Sequence, residues 1–235
     1  LLNARITKKS FDRWYKIKEF SYSIFGLIDK AYSQNSETNH YLKRLNVKNI
    51  QSIGNMKFIE DDNIKSDKSD KKLFSQFKKY KTFIAASTHE TEELFAAKTH
   101  ILLKKKNKNI ITIIIPRHIN RVKQIIAEIN ELGLNVVSRS SKKLKLKGID
   151  IFIVDTFGET KKFYKFATTV FLGKSIIKGG GQNPLEPARF GAKILHGPDV
   201  NNFKDVYKYL SSLKISSVVN SPQTCANSIV FKKNM

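Results

Sequence analysis

From Thr82 onward, short apolar runs alternate with stretches of helical periodicity, and this rhythm limits the possible folds more than any other property of the chain. Residues 82–86 form one apolar run. Residues 110–115 form another, β-branched throughout, which predicts a strand covered on both faces. Helical periodicity runs through 90–103. Val122, Ile125, Ile126, Ile129 and Leu132 then recur at i, i+3, i+4, i+7 and i+10, the apolar stripe of a helix that Gly133 is placed to end. Further strands are predicted at 134–137, 151–154, 170–172 and 194–195, with helical stretches near 158–166, 184–190 and 203–210. Alternation at this pace indicates an α/β fold, a parallel sheet with helices on both faces. In such sheets ligands bind beyond the carboxyl ends of the strands.

The first 54 residues have a different character. Leu1–Leu2 reads as the tail of a buried strand. A helix-compatible aromatic stretch follows (Phe11, Trp14, Tyr15), and short strands at 31–33 and 50–53 flank a helix near 37–45. Residues 60–72, EDDNIKSDKSDKK, contain almost no large apolar side chain and predict a solvated linker or a helix start. The expected organisation is a first segment at 1–59, a charged linker at 60–80 and an α/β domain at 81–235.

Four polar clusters follow directly after predicted strands. Ser87-Thr88-His89-Glu90 follows the first; Ser87 or Thr88 could cap the next helix, with Glu92 or Glu93 complementing its dipole. Pro116-Arg117-His118 follows the second, and a guanidinium at a sheet rim is either a surface arginine or a two-pronged phosphate ligand. Asp155-Thr156-Phe157-Gly158-Glu159 combines a glycine with a helix start, either a plain cap or a seat for an anion. Last comes Gly179-Gly180-Gly181-Gln182-Asn183-Pro184-Leu185-Glu186, an NH-rich glycine loop entering a helix with proline in its first turn. Glu186 could accept hydrogen bonds from ribose hydroxyls. Each cluster alone has a structural explanation; four at consecutive strand ends point to one site.

The chain carries 43 Lys+Arg against 20 Asp+Glu, a formal charge of +23, which favours anionic partners. The basic residues are scattered, as a biased composition also produces. A nucleic-acid-binding protein would instead cluster Lys and Arg with stacking aromatics. The single cysteine, Cys225, excludes an intrachain disulfide. His40, His100 and His196 have no metal-ligand spacing, and no P-loop, nucleophile elbow or paired-cysteine zinc signature is present.

Read together, the clusters resemble the 3-deoxy-D-manno-octulosonic acid (Kdo) transferases, glycosyltransferases of GT-B fold. The strings that carry the resemblance are LLNARITKKSF at 1–11, IGNMKF at 53–58, ASTHETEE at 86–93, IIPRH at 114–118, VDTFGE at 154–159, GGQNPLEPARFG at 180–191 and HGPDVNNF at 196–203. The resemblance implies that 1–59 is a remnant of an N-terminal, acceptor-side Rossmann-like domain, and that 81–235 is a CMP-sugar-binding domain incomplete at its end. It places CMP at Pro116, Arg117, Phe157, Gly158, Glu159, Asn183, Pro184, Leu185 and Glu186, with Ser87, Thr88, His89, Glu90, Gly180, Gly181 and Gln182 nearby. Phe157 stands where the family usually has methionine, and Gln182 where many members have histidine. The implied reaction is inverting transfer of Kdo from CMP-Kdo to lipid IVA, with no metal, no other cofactor and no nucleic acid. It would take place at the anionic cytoplasmic face of a bacterial inner membrane. The family's catalytic glutamate and membrane anchor belong ahead of the NAR string, so no catalytic residue is assigned. The chain is expected to be a fragment that ends in a polar tail. Another GT-B enzyme, such as a UDP-sugar transferase or epimerase, would share the fold and a ribose-binding glutamate.

Overall fold

A computed structural model of the chain describes residues 1–54, 68–141 and 145–231. It divides into two compact units, Leu1–Asp62 and Asn63–Met235. The charged stretch at 60–67 lies outside the described residues.

In the first unit, α1 (Lys8–Lys16) and α2 (Lys18–Gly26) precede β1 (Ala31–Ser33), α3 (Ser36–Arg44) and β2 (Ile50–Ser52). Strands β1 and β2 pair in parallel, Ala31 opposite Ile50. The Thr7 side chain caps α1 and Asn35 caps α3, each accepting from a backbone N–H three residues on. Phe11 stacks on Tyr41 at 4.5 Å, and the Arg44 guanidinium lies over the Phe11 ring. Leu1 and Leu2, expected in a buried strand, are 55% and 68% exposed. Their segment does run beside β1, with Tyr32 N–H donating to the Leu1 carbonyl and Ala4 N–H to that of Tyr32. Only Ala4 is buried there.

The second unit opens with α4 (Lys68–Phe77), which corrects the expectation of a linker through residue 80. Leu73, Phe74 and Phe77 share one helical face and enter the core against Phe152 and Phe163. Charge dominates the beginning of this segment; apolar residues decide where its end goes. Then come β3 (Lys81–Thr88), α5 (Glu92–Lys106), β4 (Ile110–Pro116), α6 (Val122–Asn130), β5 (Val136–Ser138), β6 (Ile151–Ile153), α7 (Thr160–Tyr164), β7 (Thr169–Leu172), α8 (Leu185–Arg189), β8 (Lys193–His196), α9 (Lys204–Ser212), β9 (Ser216–Val218) and α10 (Pro222–Ser228).

Seven strands form one sheet in the order β5-β6-β4-β3-β7-β8-β9, every pair parallel. All seven residues of β4 are buried, as its β-branched run predicted. One core lies on each face. Ile84, Ile113, Phe152 and Val170 pack with α4 and α7, while Phe83, Ile114, Phe171 and Leu195 pack with α5, α6 and α10. Residues 216–228, part of the polar tail expected at this end, form regular elements instead, while 232–235 lie outside the described residues. β9 extends the sheet, Ser221 and Thr224 form a reciprocal cap on α10, and Cys225 is fully buried beside α5. These segments are short and mostly polar, so their few apolar residues give little periodic signal.

Candidate functional site

Because β6, β4, β3 and β7 are parallel and adjacent, the four polar clusters emerge side by side along one rim of the sheet. A fifth segment, Ser138–Ser141 after β5, joins them. Ser140 N–H donates to the Asp155 carboxylate at 2.9 Å, tying the fifth segment to the third cluster.

In the first cluster, Ser87 and Thr88 belong to β3 and do not cap α5, so that expectation is corrected. A register shift between Ala86 and Thr88, with Ser87 at φ +54°, extends the strand to Thr88. The residue ahead of α5 is Thr91, in left-handed backbone and without a side-chain cap bond. Glu92 does the capping from inside the first turn. Its fully buried carboxylate accepts from the N–H groups of His89 at 2.9 Å, Lys174 at 2.6 Å, Ser175 at 2.9 Å and Ile176 at 3.0 Å. It thus binds the loop after β3 to the loop after β7. The two loops approach so closely that a Cβ on Gly173 would meet Ser87 O at 2.5 Å and Glu92 Oε2 at 2.6 Å. Glu93, 1% exposed, pairs with Arg121 at 3.3 Å, and burial pushes its carboxyl above the usual range.

His89 donates its Nδ1–H to the Ser87 carbonyl at 3.1 Å, leaving Nε2 for another partner. Its ring meets that of His118 edge to face at 5.4 Å, and burial lowers its pKa. Pro116 closes β4 in the interior, and Arg117 N–H bonds to the Thr88 carbonyl at 2.9 Å. The Arg117 side chain is exposed, and no ion pair is recorded for it among the described residues. The first two clusters are therefore brought together, with a cation at their junction. Glu90 is exposed in the turn that leads from β3 into α5.

The third cluster is organised differently from the expectation. Glu159 is enclosed by Arg139 Nε at 3.1 Å, Lys162 Nζ at 2.9 Å and the Thr156 hydroxyl. Arg139 and Lys162 also bond to Asp70, at 2.6 and 2.9 Å. Burial opposes ionisation of Glu159, but the bonds from Arg139, Thr156 and Lys162 win and hold its carboxyl at about 2. This side chain anchors its loop to α4 and β5. What the loop presents outward is Phe157, 77% exposed, and Gly158 at φ +75°. A Cβ on Gly158 would meet nothing, so its backbone conformation, not a close approach, is what calls for glycine.

The glycine loop is also less open than its composition suggested. Asp199 accepts from Gly179 N–H at 2.8 Å and Gly180 N–H at 3.1 Å, while Gly181 N–H bonds to the Lys174 carbonyl at 2.7 Å. Gly180 and Gly181 hold positive φ. The Gln182 carbonyl accepts from the Tyr207 hydroxyl at 3.0 Å. Asn183 Oδ1 accepts from Leu185 N–H at 3.1 Å, and buried Pro184 leads into α8. Glu186 bonds to the buried Tyr164 hydroxyl of α7, linking the fourth cluster to the helix that follows the third.

Asp70, Glu92, Arg139, Lys162, Lys174 and Asp199 were not singled out as organisers of the site from sequence. Arg139 and Lys174 follow predicted strands, and Glu92 and Asp199 lie in the ASTHETEE and HGPDVNNF strings, so four of them carried a signal. A cavity of 210 Å³ lined by Phe77, Lys81, Thr82, Phe166 and Phe231 lies at the opposite edge, where β3 begins.

A family model described as 3-deoxy-D-manno-octulosonic-acid transferase (kdotransferase) matches residues 1–60. The 3-deoxy-D-manno-octulosonic acid transferase of Rickettsia felis is 34% identical over 208 residues, covering 88% of this chain and 45% of that protein. That of Rickettsia bellii is 30% identical over 231 residues, covering 98% and 55%. The chain thus spans about half the length of the curated relatives it matches. Among solved structures, the C-terminal CMP-Kdo binding domain of WaaA from Acinetobacter baumannii superposes with a TM-score of 0.63 at 23% identity. It covers 68% of this chain and 84% of that one, a likeness of fold. The α/β architecture is of the GT-B type, and the chain belongs to the 3-deoxy-D-manno-octulosonic acid transferase family.

Proposed function

We propose that the second unit holds the CMP moiety of CMP-Kdo at the carboxyl rim of its sheet, as the donor side of a Kdo transfer to lipid IVA. The observation that carries this reading is the exposed Arg117 at the junction of the first two clusters, beside the His89–His118 pair. A guanidinium suits a phosphate oxygen pair, and positive groups there would stabilise the departing CMP phosphate. With Nδ1–H given to the Ser87 carbonyl, Nε2 of the neutral His89 ring is an acceptor, and it donates to a phosphate oxygen only when the ring takes up a proton. The side chains of Glu159 and Glu186 act as supports for their loops, so recognition of the nucleoside falls to the main chain of Phe157–Gly158 and of Gln182–Asn183. The general base that deprotonates the lipid hydroxyl is not assigned to any residue of this chain. The work site we infer is the cytoplasmic face of a bacterial inner membrane, to which a net charge of +23 is suited. No helix among the described residues is long and apolar enough to cross a bilayer.

Titration of the purified chain with CMP tests the donor reading. Arg117→Ala is expected to weaken CMP binding by about tenfold or more, the loss of a charge-assisted contact, without changing the unfolding midpoint. Unchanged CMP affinity in that variant would overturn the assignment. UMP competing as well as CMP would move the reading to a uridine-linked donor.

A further inference from the structure

Lys174 sits directly after β7, on the far side of β3 from Arg117. It adopts left-handed backbone, φ +58°, which a residue with a Cβ occupies only when its surroundings enforce it. Glu92 Oε2 accepts from Lys174 N–H at 2.6 Å, and the Lys174 carbonyl accepts from Gly181 N–H at 2.7 Å. The backbone is thereby fixed from both sides. The side chain runs across Gly179: a Cβ there would meet Lys174 Cγ at 2.5 Å and Cε at 3.2 Å. Glycine at 179 therefore leaves the passage that the lysine stem occupies. No carboxylate is recorded as a partner of Lys174 Nζ among the described residues, and the nearby acids are engaged elsewhere, Glu92 with four N–H groups and Asp199 with the glycine loop. The ammonium is close enough to His89 to oppose its protonation.

Among the described residues the rim therefore offers cations on both sides of β3, Arg117 on the β4 loop and Lys174 on the β7 loop, which also carries the exposed Lys178. Their strands are two inter-strand spacings apart, ~10 Å, a gap that two long basic side chains span from either side. A nucleoside monophosphate joined to a neutral sugar has one anion to match, whereas one joined to a sugar acid has two, the phosphodiester and the sugar carboxylate. We propose that Lys174 is a specificity-determining residue that pairs with the sugar carboxylate of a CMP-linked sugar acid, while Arg117 pairs with the phosphate. This rests on the donor-site reading above. The two cations differ in the way the division requires, since a guanidinium matches a two-oxygen phosphate edge and an ammonium is a compact point charge.

The test compares two ligands on the purified full chain: CMP, and CMP-N-acetylneuraminate as a CMP-linked sugar acid. Lys174→Ala is expected to weaken CMP-N-acetylneuraminate binding by about tenfold, about 1.4 kcal/mol, while CMP binding changes by less than about twofold. Lys174→Arg is expected to keep most of the difference. Lys174→Gly, which relieves the backbone, should be at least as stable as the parent and lose the same discrimination. Equal losses for both ligands in the alanine variant, or a stable glycine variant that still discriminates, would overturn the proposal. The outcomes separate the two readings. If Arg117→Ala abolishes CMP binding and Lys174→Ala is silent, the donor site stands and the carboxylate assignment falls. If the parent chain binds neither ligand, both fall together.

Discussion

On the β3–β7 side of the rim one carboxylate holds main chain, whereas on the β5–β6 side four side chains hold one another. Glu92 accepts from four backbone N–H groups and is shielded from water. Asp70, Arg139, Glu159 and Lys162 form a ring of two acids and two bases that retains partial exposure at Arg139, Glu159 and Lys162. Main-chain donors cannot be changed by substitution and do not rearrange without moving a loop, so the first arrangement defines a geometry. Ion pairs at a partly wet surface are interchangeable and screened by salt, so the second mainly attaches a loop to α4. The lesson concerns function as much as stability. Most acids at the rim are engaged in holding loops, whereas Arg117 and the partly exposed Lys174 have no carboxylate partner among the described residues.

The comparison is most exposed to failure at Glu92. Glu92→Ala leaves four N–H groups, one buried and three partly buried, without an acceptor and is expected to cost about 3–5 kcal/mol, from the penalty for unsatisfied groups shielded from water. Urea unfolding of the variant measures this; a loss under about 1 kcal/mol would show that the two loops hold together without the carboxylate. Gly173→Ala drives a methyl into Ser87 O and Glu92 Oε2. An expected cost of about 2–4 kcal/mol follows from overpacking against main chain. If that variant keeps the parent's stability, the close approach of β3 and β7 is not enforced.

The ion-pair side should respond to pH and salt where the Glu92 side does not. Glu159 has a folded pKa of about 2, below its unfolded value, so its contribution is present above about pH 4.5. That contribution is lost as pH falls from there toward 2. Glu159→Gln should flatten this acid limb of the stability curve, a difference of roughly 2 kcal/mol after allowance for partial exposure. An identical acid limb in parent and variant would remove Glu159 from the account. High salt should weaken the parent by a smaller amount and leave the Glu159→Gln variant less affected.

The parallel sheet and the alignment of the four clusters were legible in the sequence because they rest on periodicity. The β-branched run at β4 and the stripe at Val122, Ile125 and Ile129 fix element type, and parallel topology then places every loop after a strand on one rim. What each polar side chain does there was not legible. Glu92 and Glu93 are neighbours in sequence, yet one ties two loops and the other pairs with Arg121. Asp70 lies in a run that reads as solvated and is fully buried, because its partners, Arg139 and Lys162, come from 69 and 92 residues away. Partners at such separations leave no local pattern. The same holds for α10, where Ser221, Thr224 and Cys225 carry an element with almost no apolar signal.

Asp199 gives the finest division between the two ways of holding an anion at this rim. Its carboxylate sits on the Gly179 and Gly180 N–H groups, and those bonds keep its pKa below the usual range. An incoming phosphate could be seated by the cations alone, or it could take these N–H groups from Asp199. Asp199→Asn keeps the shape but weakens the acceptor, at an expected cost of only about 0.5–1 kcal/mol for a partly exposed hydrogen bond. If the phosphate uses Arg117 and leaves the glycine loop to Asp199, CMP affinity in this variant should stay within about twofold of the parent, because a neutral acceptor still occupies the loop and only a modest long-range repulsion is removed. If the phosphate displaces Asp199, the variant should bind CMP about tenfold more tightly, since the charged competitor is gone. The first outcome keeps the glycine loop as a support for the Lys174 passage; the second makes it the seat itself, and Arg117 then only guides the ligand in.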